Sequence, residues 1–250
     1  GYQVCCEKAG KGITVDICDH KATVSYGKDC QFFRAFSLAV QYVDGDDRHI
    51  TVEDQFEHYG TMQNTSSHVM SAEGVKDLLR QHALMGYDYL ELYMEICYEV
   101  PGEPYFGYMK GRFSQQELKE LAAYGDMLCV QLVPCIQTLG HMADFFKWGP
   151  NYKYSDIHGT LLADYEPTYE LIEKMLRSLR ECVTTDRINL GMDEAYFMCK
   201  GRYHWFVDAS LPDPSKVFVR HVKRVLQIAK DVGFTDLAMW YDNLFEMEFK

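Results

Sequence analysis

The chain is short of positive charge. Its 250 residues carry 25 Lys and Arg against 37 Asp and Glu, a net charge of −12. A surface of that sign repels phosphate backbones and anionic lipid, which excludes nucleic acid and membrane surfaces as electrostatic partners. No run approaches the roughly 18 apolar residues a spanning helix needs. Neither C-x-x-C nor H-E-x-x-H occurs, so no metal site and no cofactor is expected. The nine cysteines are an odd number without the spacing of a small disulfide scaffold. Apart from the adjacent Cys5 and Cys6, several of them (Cys97, Cys129, Cys135, Cys182) sit in apolar surroundings, which suits reduced thiols and a cytoplasmic location. The chain begins at Gly1 with neither Met nor a signal-like apolar segment, as expected of a processed or partial N-terminus.

What is present is a change of pattern near residue 50. Gly12–Cys18 and Lys21–Tyr26 alternate as a strand pair around the polar Asp19-His20, and Phe32, Phe33, Phe36, Leu38, Ala39 and Val43 mark a helix. The Asp44–Asp47 loop follows. Residues 1–50 are therefore expected to be the C-terminal part of a small α+β domain. From about residue 56 short apolar runs alternate with helices. The expected strands are Gly60–Gln63, Tyr89–Met94, Leu128–Pro134, Ile188–Met192 and Leu237–Tyr241. Ser114 and Glu117 form a capping box, Pro167 stands at a helix start, and Asp213-Pro214 opens a helix that Gly233 stops. Alternation of this kind predicts an α/β fold with a parallel sheet: a (β/α)8 TIM-type barrel over residues 51–250, of which five N-terminal units are visible.

The most telling stretch is Arg187–Glu194, an apolar run that breaks off in two adjacent carboxylates, Asp193 and Glu194. Carboxylates at the C-terminal ends of barrel strands sit on the face where that fold does chemistry. Adjacent strand residues point to opposite sides, so a shared pocket requires the strand to bend at Asp193. Like charge beside Glu194 is expected to hold a proton on it. Other polar residues end other strands. They are Glu95, Gln137 and His141 in Pro134–His141, and Trp240 with Asp242. Trp240 could stack on a sugar face, and Asp242, Gln137 and Glu95 could bind hydroxyls. Arg112 is either a sugar contact or an ion-pair partner of Glu95.

Gly191-Met-Asp-Glu-Ala195 resembles the catalytic signature of family 20 glycoside hydrolases. The segments Tyr98–Arg112, Pro134–His141 and Trp240-Tyr-Asp242 are similar to the cytoplasmic, hexosaminidase D-like branch and bacterial exo-β-hexosaminidases, collinearly from about residue 56 to 250. The resemblance implies a barrel that removes terminal β-GlcNAc or β-GalNAc by substrate assistance. In that scheme the acetamido oxygen attacks the anomeric carbon, Glu194 serves as acid and then base, and Asp193 holds the acetamido group. The implied partners are an oligosaccharide and, in a homodimer, a second copy of the chain. The chain departs from the branch where Asn64, Ser67 and Ile96 replace the expected Asp, Arg and Asp. Two other readings stay open: from the same fold, a conventional two-carboxylate β-glycosidase using Glu194 with Glu95, and, motivated by those departures, an inactive sugar-binding barrel.

Overall fold

A computed structural model describes residues 3–68, 70–210 and 213–243. The chain forms two compact units. One takes the residues up to Met62 with Ser71–Glu91 and Leu121–Leu132; the other takes Gln63–Met70, Leu92–Glu120 and the residues from Val133 on.

The N-terminal sheet contains β1 (Gln3–Lys8), β2 (Ile13–Cys18), β3 (Lys21–Tyr26) and β4 (Arg48–Val52) in the order β1-β3-β2-β4, with helix α1 (Phe32–Tyr42) after β3. Asp19 and His20 both adopt positive φ (49° and 60°), the two-residue turn whose twist matches its flanking strands. Alternation buries Ile13, Val15, Ile17, Ala22 and Val24 against Ala35, Leu38 and Ala39 of α1. Each of the larger side chains contributes about 1.5–3 kcal/mol by leaving water. Two strands were not expected. β1 pairs parallel with β3, Gln3 opposite Lys21, and β4 pairs antiparallel with β2, Ile13 opposite Val52. The expected boundary between residues 50 and 51 therefore falls inside β4. The α1 helix also packs on the helix at residues 72–85, which extends this unit past the boundary.

The second sheet is built from successive βα units. They are β5 (Gly60–Asn64) with α2 (Ala72–Met85), β6 (Tyr89–Glu95) with α3 (Gln115–Met127), and β7 (Gln131–Ile136). After β7 come the short helix α4 (Ala143–Phe146), the small hairpin β8 (Ser155–Ile157) and β9 (Thr160–Leu161), and helix α5 (Glu166–Arg180). Then come β10 (Arg187–Asn189), α6 (Tyr203–Phe206), α7 (Pro214–Val232) and β11 (Asp236–Ala238). Strands neighbour one another in chain order, β5-β6-β7-β10-β11, and β10 runs parallel to both β7 and β11. This is the winding of a (β/α) barrel, in which βα loops collect at the strands' C-terminal ends.

The helices start where the sequence places caps. The Ser71 hydroxyl accepts from Gly74 N at 3.2 Å, Ser114 and Glu117 exchange reciprocal bonds of 2.8 and 3.1 Å, and Asp213 accepts from Ser215 N at 3.0 Å ahead of Pro214. Both α5 and α7 bury one apolar face, Leu171, Ile172, Met175 and Leu179 in the first and Val217, Phe218, Val225 and Ala229 in the second. Three strands differ from expectation. Leu128–Val130 closes α3 instead of starting β7, because Val130 N bonds back to Gly125 O at 2.9 Å and Cys129 turns left-handed. β10 and β11 stop three residues early, at Asn189 and Ala238. The residues released from the ladder build the site.

Candidate active site

The chain leaves β10 because side chains capture its backbone. Asn189 Oδ1 accepts from Gly191 N at 3.0 Å, and Gly191 (φ 72°) and Met192 (φ 74°) both turn left-handed. Glu194 does the same at φ 52°. For Met192 and Glu194 this conformation costs on the order of 1–3 kcal/mol each and persists only if neighbours impose it. Here they do. Met192 N donates to Gln137 Oε1 at 3.1 Å, Met192 O accepts from the Asn243 amide, Glu194 N donates to Asp242 Oδ2 at 2.9 Å, and Gly191 O accepts from Trp240 N at 3.0 Å. A Cβ on Gly140 would stand 2.1 Å from Asp193 O, and one on Gly191 would stand 2.3 Å from Gln137 Oε1. The bend anticipated at Asp193 thus falls on the residues either side of it, and both carboxylates reach one pocket.

Within that pocket the two acids have different surroundings. Asp193 Oδ1 accepts from Gln137 Nε2 at 2.6 Å, and Oδ2 lies 3.0 Å from His141 Nε2. The same nitrogen lies 3.4 Å from Glu194 Oε2, with its N–H squarely aligned on neither oxygen. One imidazole nitrogen therefore stands within ion-pair distance of both carboxylates, where like charge facing like was expected. The Asp193 carboxylate raises the His141 imidazole above its ordinary value, against the opposing effect of burial. Burial pushes the Asp193 carboxyl upward, but the bonds from His141 and Gln137 and the His141 charge together hold it below its usual range. Asp193 is a half-buried, fixed anion whose side chain is 19% exposed; that of Glu194 is 57% exposed and open to the cavity. This cleft of about 300 Å³ is lined by Asp193, Glu194, Tyr196, Trp240, Tyr241 and Asp242.

The other expected site residues divide. His141 and Trp240 stand at the site, His141 with positive φ (53°) and Trp240 half-buried. Gln137 is fully buried, so it contacts no sugar; its amide orients Asp193 and also donates to Tyr93 Oη at 3.1 Å. Tyr93 in turn donates to Glu95 Oε1 at 3.1 Å, which makes Glu95 the end of a hydrogen-bonded chain and not an ion-pair partner of Arg112. Burial pushes the Tyr93 phenol far above its ordinary value, so it remains a proton donor throughout. Asp242 uses Oδ2 on the Glu194 backbone and presents an unpartnered Oδ1. Arg112 spends its guanidinium on the carbonyls of Phe106 and, at 3.4 Å, Pro104, which tie together its own loop. Asn64 closes a turn through bonds from Ser66 N (2.9 Å), Ser66 Oγ (3.0 Å) and Ser67 N (3.4 Å), Ser67 is exposed, and Ile96 is core at 1% exposure.

Sequence reasoning missed Tyr93, Asn189, Asn243, Tyr196 and Tyr241. Tyr93 was detectable as the residue two before Glu95, on the same face of β6. The asparagines carry no comparable signal, because their role is to hold backbone that leaves a strand.

The model of the glycosyl hydrolase family 20 catalytic domain matches residues 56–249. No curated protein matches the chain. Among solved structures the fold is similar to an exo-β-N-acetylglucosaminidase from Vibrio harveyi in complex with N-acetylglucosamine (TM-score 0.81, 14% identity, covering 97% of this chain and 46% of that one). It is also similar to a Flavobacterium johnsoniae chitobiase (0.75, 17%, 96% and 42%) and a Streptomyces coelicolor β-N-acetylhexosaminidase (0.72, 18%, 96% and 54%). The chain spans about half the length of these proteins. The family match covers the strand-end acids and the loops that hold them, and the chain belongs to glycosyl hydrolase family 20.

Proposed function

We propose that this protein hydrolyses terminal β-linked N-acetylhexosamine residues, GlcNAc or GalNAc, from the non-reducing ends of oligosaccharides, with the substrate's own acetamido oxygen as nucleophile. The observation that carries the reading is the asymmetry of the acid pair. A substrate-assisted mechanism needs a permanent anion beside the acetamido nitrogen and a separate, accessible carboxyl that exchanges protons with the glycosidic oxygen and then with water. Asp193, half-buried and held charged by His141 and Gln137, suits the first role, and Glu194, exposed to the cleft, suits the second. As the anomeric carbon is attacked, positive charge spreads onto the acetamido group, and a fixed carboxylate already ionised stabilises it without reorganisation. His141 Nε2 lies between the two acids, 3.0 Å from Asp193 Oδ2 and 3.4 Å from Glu194 Oε2, and its charge favours the ionised form of Asp193.

A conventional route through Glu95 as nucleophile has less support, since Glu95 is occupied by Tyr93. The names of the similar proteins from Vibrio harveyi and Streptomyces coelicolor support an N-acetylated substrate and exo action. The test is hydrolysis of the nitrophenyl β-glycosides of GlcNAc, GalNAc and glucose, with a thiazoline mimic of the oxazolinium ion as inhibitor. Turnover of the first two only, blocked by the thiazoline, is expected. Equal turnover of the glucoside without thiazoline inhibition would refute the acetamido nucleophile.

A further inference from the structure

Two loops leave the strand ends that carry Glu95 and His141, and each brings aromatic rings to the surface. Tyr105 and Tyr108 lie in the loop between β6 and α3, and Trp148 follows α4. Trp148 stacks on Tyr105 (centroids 5.9 Å apart, planes at 22°) and meets the edge of Tyr108 at 4.9 Å. Tyr105 and Tyr108 remain 37% and 46% exposed. The same loops carry a separate set of rings, with Tyr98 5.0 Å from Phe106 and Phe106 5.3 Å from Phe145, that is fully buried. Beside the outer trio, Asp144 is paired with both Lys110 and Lys147, joining the two loops and setting charged groups along one edge.

An exposed aromatic floor with charged hydrogen-bonding groups at its edge fits a pyranose, which has apolar C–H faces and a rim of hydroxyls. We propose that Tyr105, Tyr108 and Trp148 form a binding platform for sugar units beyond the scissile bond, so that the preferred substrate is an oligosaccharide chain and not a single glycoside. The inference rests on the proposed hydrolase activity for its setting. The platform takes no part in proton transfer; it adds binding that only a substrate long enough to reach it can use.

The experiment compares wild type with the double variant Tyr105→Ala/Tyr108→Ala on nitrophenyl β-GlcNAc and on β-linked GlcNAc tetramer and pentamer, using the full chain. The expected result is a loss of about three- to tenfold in kcat/KM per ring contact on the oligomers, with the nitrophenyl glycoside unchanged. Trp148→Phe, which keeps a ring, should retain most of the oligomer activity where Trp148→Ala loses it. Equal losses on both substrates, or no loss on either, would overturn the platform while leaving the hydrolase reading intact. Absence of any turnover would refute the hydrolase reading. In that event calorimetric titration of the pentamer decides the platform: affinity lost in the double variant supports it, and unchanged affinity or no binding by wild type refutes it.

Discussion

Among the described residues up to Val52, Asp19 and His20 in one hairpin turn are the only non-glycine residues with positive φ; at the ends of β6, β7 and β10 the same conformation recurs at Glu95, His141, Met192 and Glu194. The N-terminal sheet is held by unstrained ladders and an alternating apolar face. Its stability comes from many small, similar contributions. The strand ends put four residues in an unfavourable conformation and restrain two of them, Met192 and Glu194, with specific side-chain bonds from Gln137, Asp242 and Asn243. The first region resists change in bulk, and the second depends on individual bonds. That is the arrangement expected where geometry, not packing, sets the rate.

This contrast can be broken from either side. The largest effect is expected from Glu194→Gln, which removes the exposed carboxyl proposed as proton donor. Turnover of an unactivated disaccharide should fall by about 10²–10⁴-fold while binding of the intact substrate survives. Near-native kcat on that substrate would remove Glu194 from the acid role. Asp193→Asn comes next, with kcat lowered by about 10²-fold and KM changed little, because in the proposed scheme the charge matters once the acetamido group turns cationic. A change confined to KM would make Asp193 a ground-state contact.

Gln137→Leu sharpens the comparison, since it leaves every titrating group in place. Asp193 is held below its usual range partly by this amide, so losing the bond raises its pKa. Activity that needs ionised Asp193 is lost as pH falls through that value, and the acid limb of the pH–kcat profile should therefore move to higher pH. Kcat itself should drop by about tenfold through the freed Met192 backbone. An unshifted limb would show that the amide does not act on Asp193. The smallest catalytic effect is expected from Val15→Ala, a fully buried position in the N-terminal sheet. It should cost about 2 kcal/mol of stability, read by denaturant unfolding, and leave kcat/KM unchanged. Altered kinetics there would mean that the sheet and the strand ends are not the separate regimes described.

The same contrast explains what could be read from sequence. Alternation and capping residues reveal β2, β3, α5 and α7 because burial repeats with the period of the element. They miss β1, whose residues are nearly all exposed, and β4, where only Ile50 is partly covered. At the site the acids, His141 and Trp240 were legible as chemistry placed at strand ends. Gln137 was legible as a residue but not in role, since a buried amide and a sugar-binding amide look alike until the partner is known. Arg112 misled for a related reason: a guanidinium satisfied by the Phe106 carbonyl leaves no mark in the sequence. Ser67 and Asn64 stand at departures from the family pattern, and Asn64 serves its own turn.

The clearance at Gly140 has a bearing on how such a site can be altered. With Asp193 O only 2.1 Å from where a Cβ would stand, and Gly191 equally tight on Gln137, the segments after β7 and β10 are interlocked like two teeth of one gear. Neither can be exchanged alone between relatives without misaligning the acid pair. Grafting this specificity onto another barrel therefore requires both segments as a single cassette, Gln137–His141 together with Asn189–Glu194.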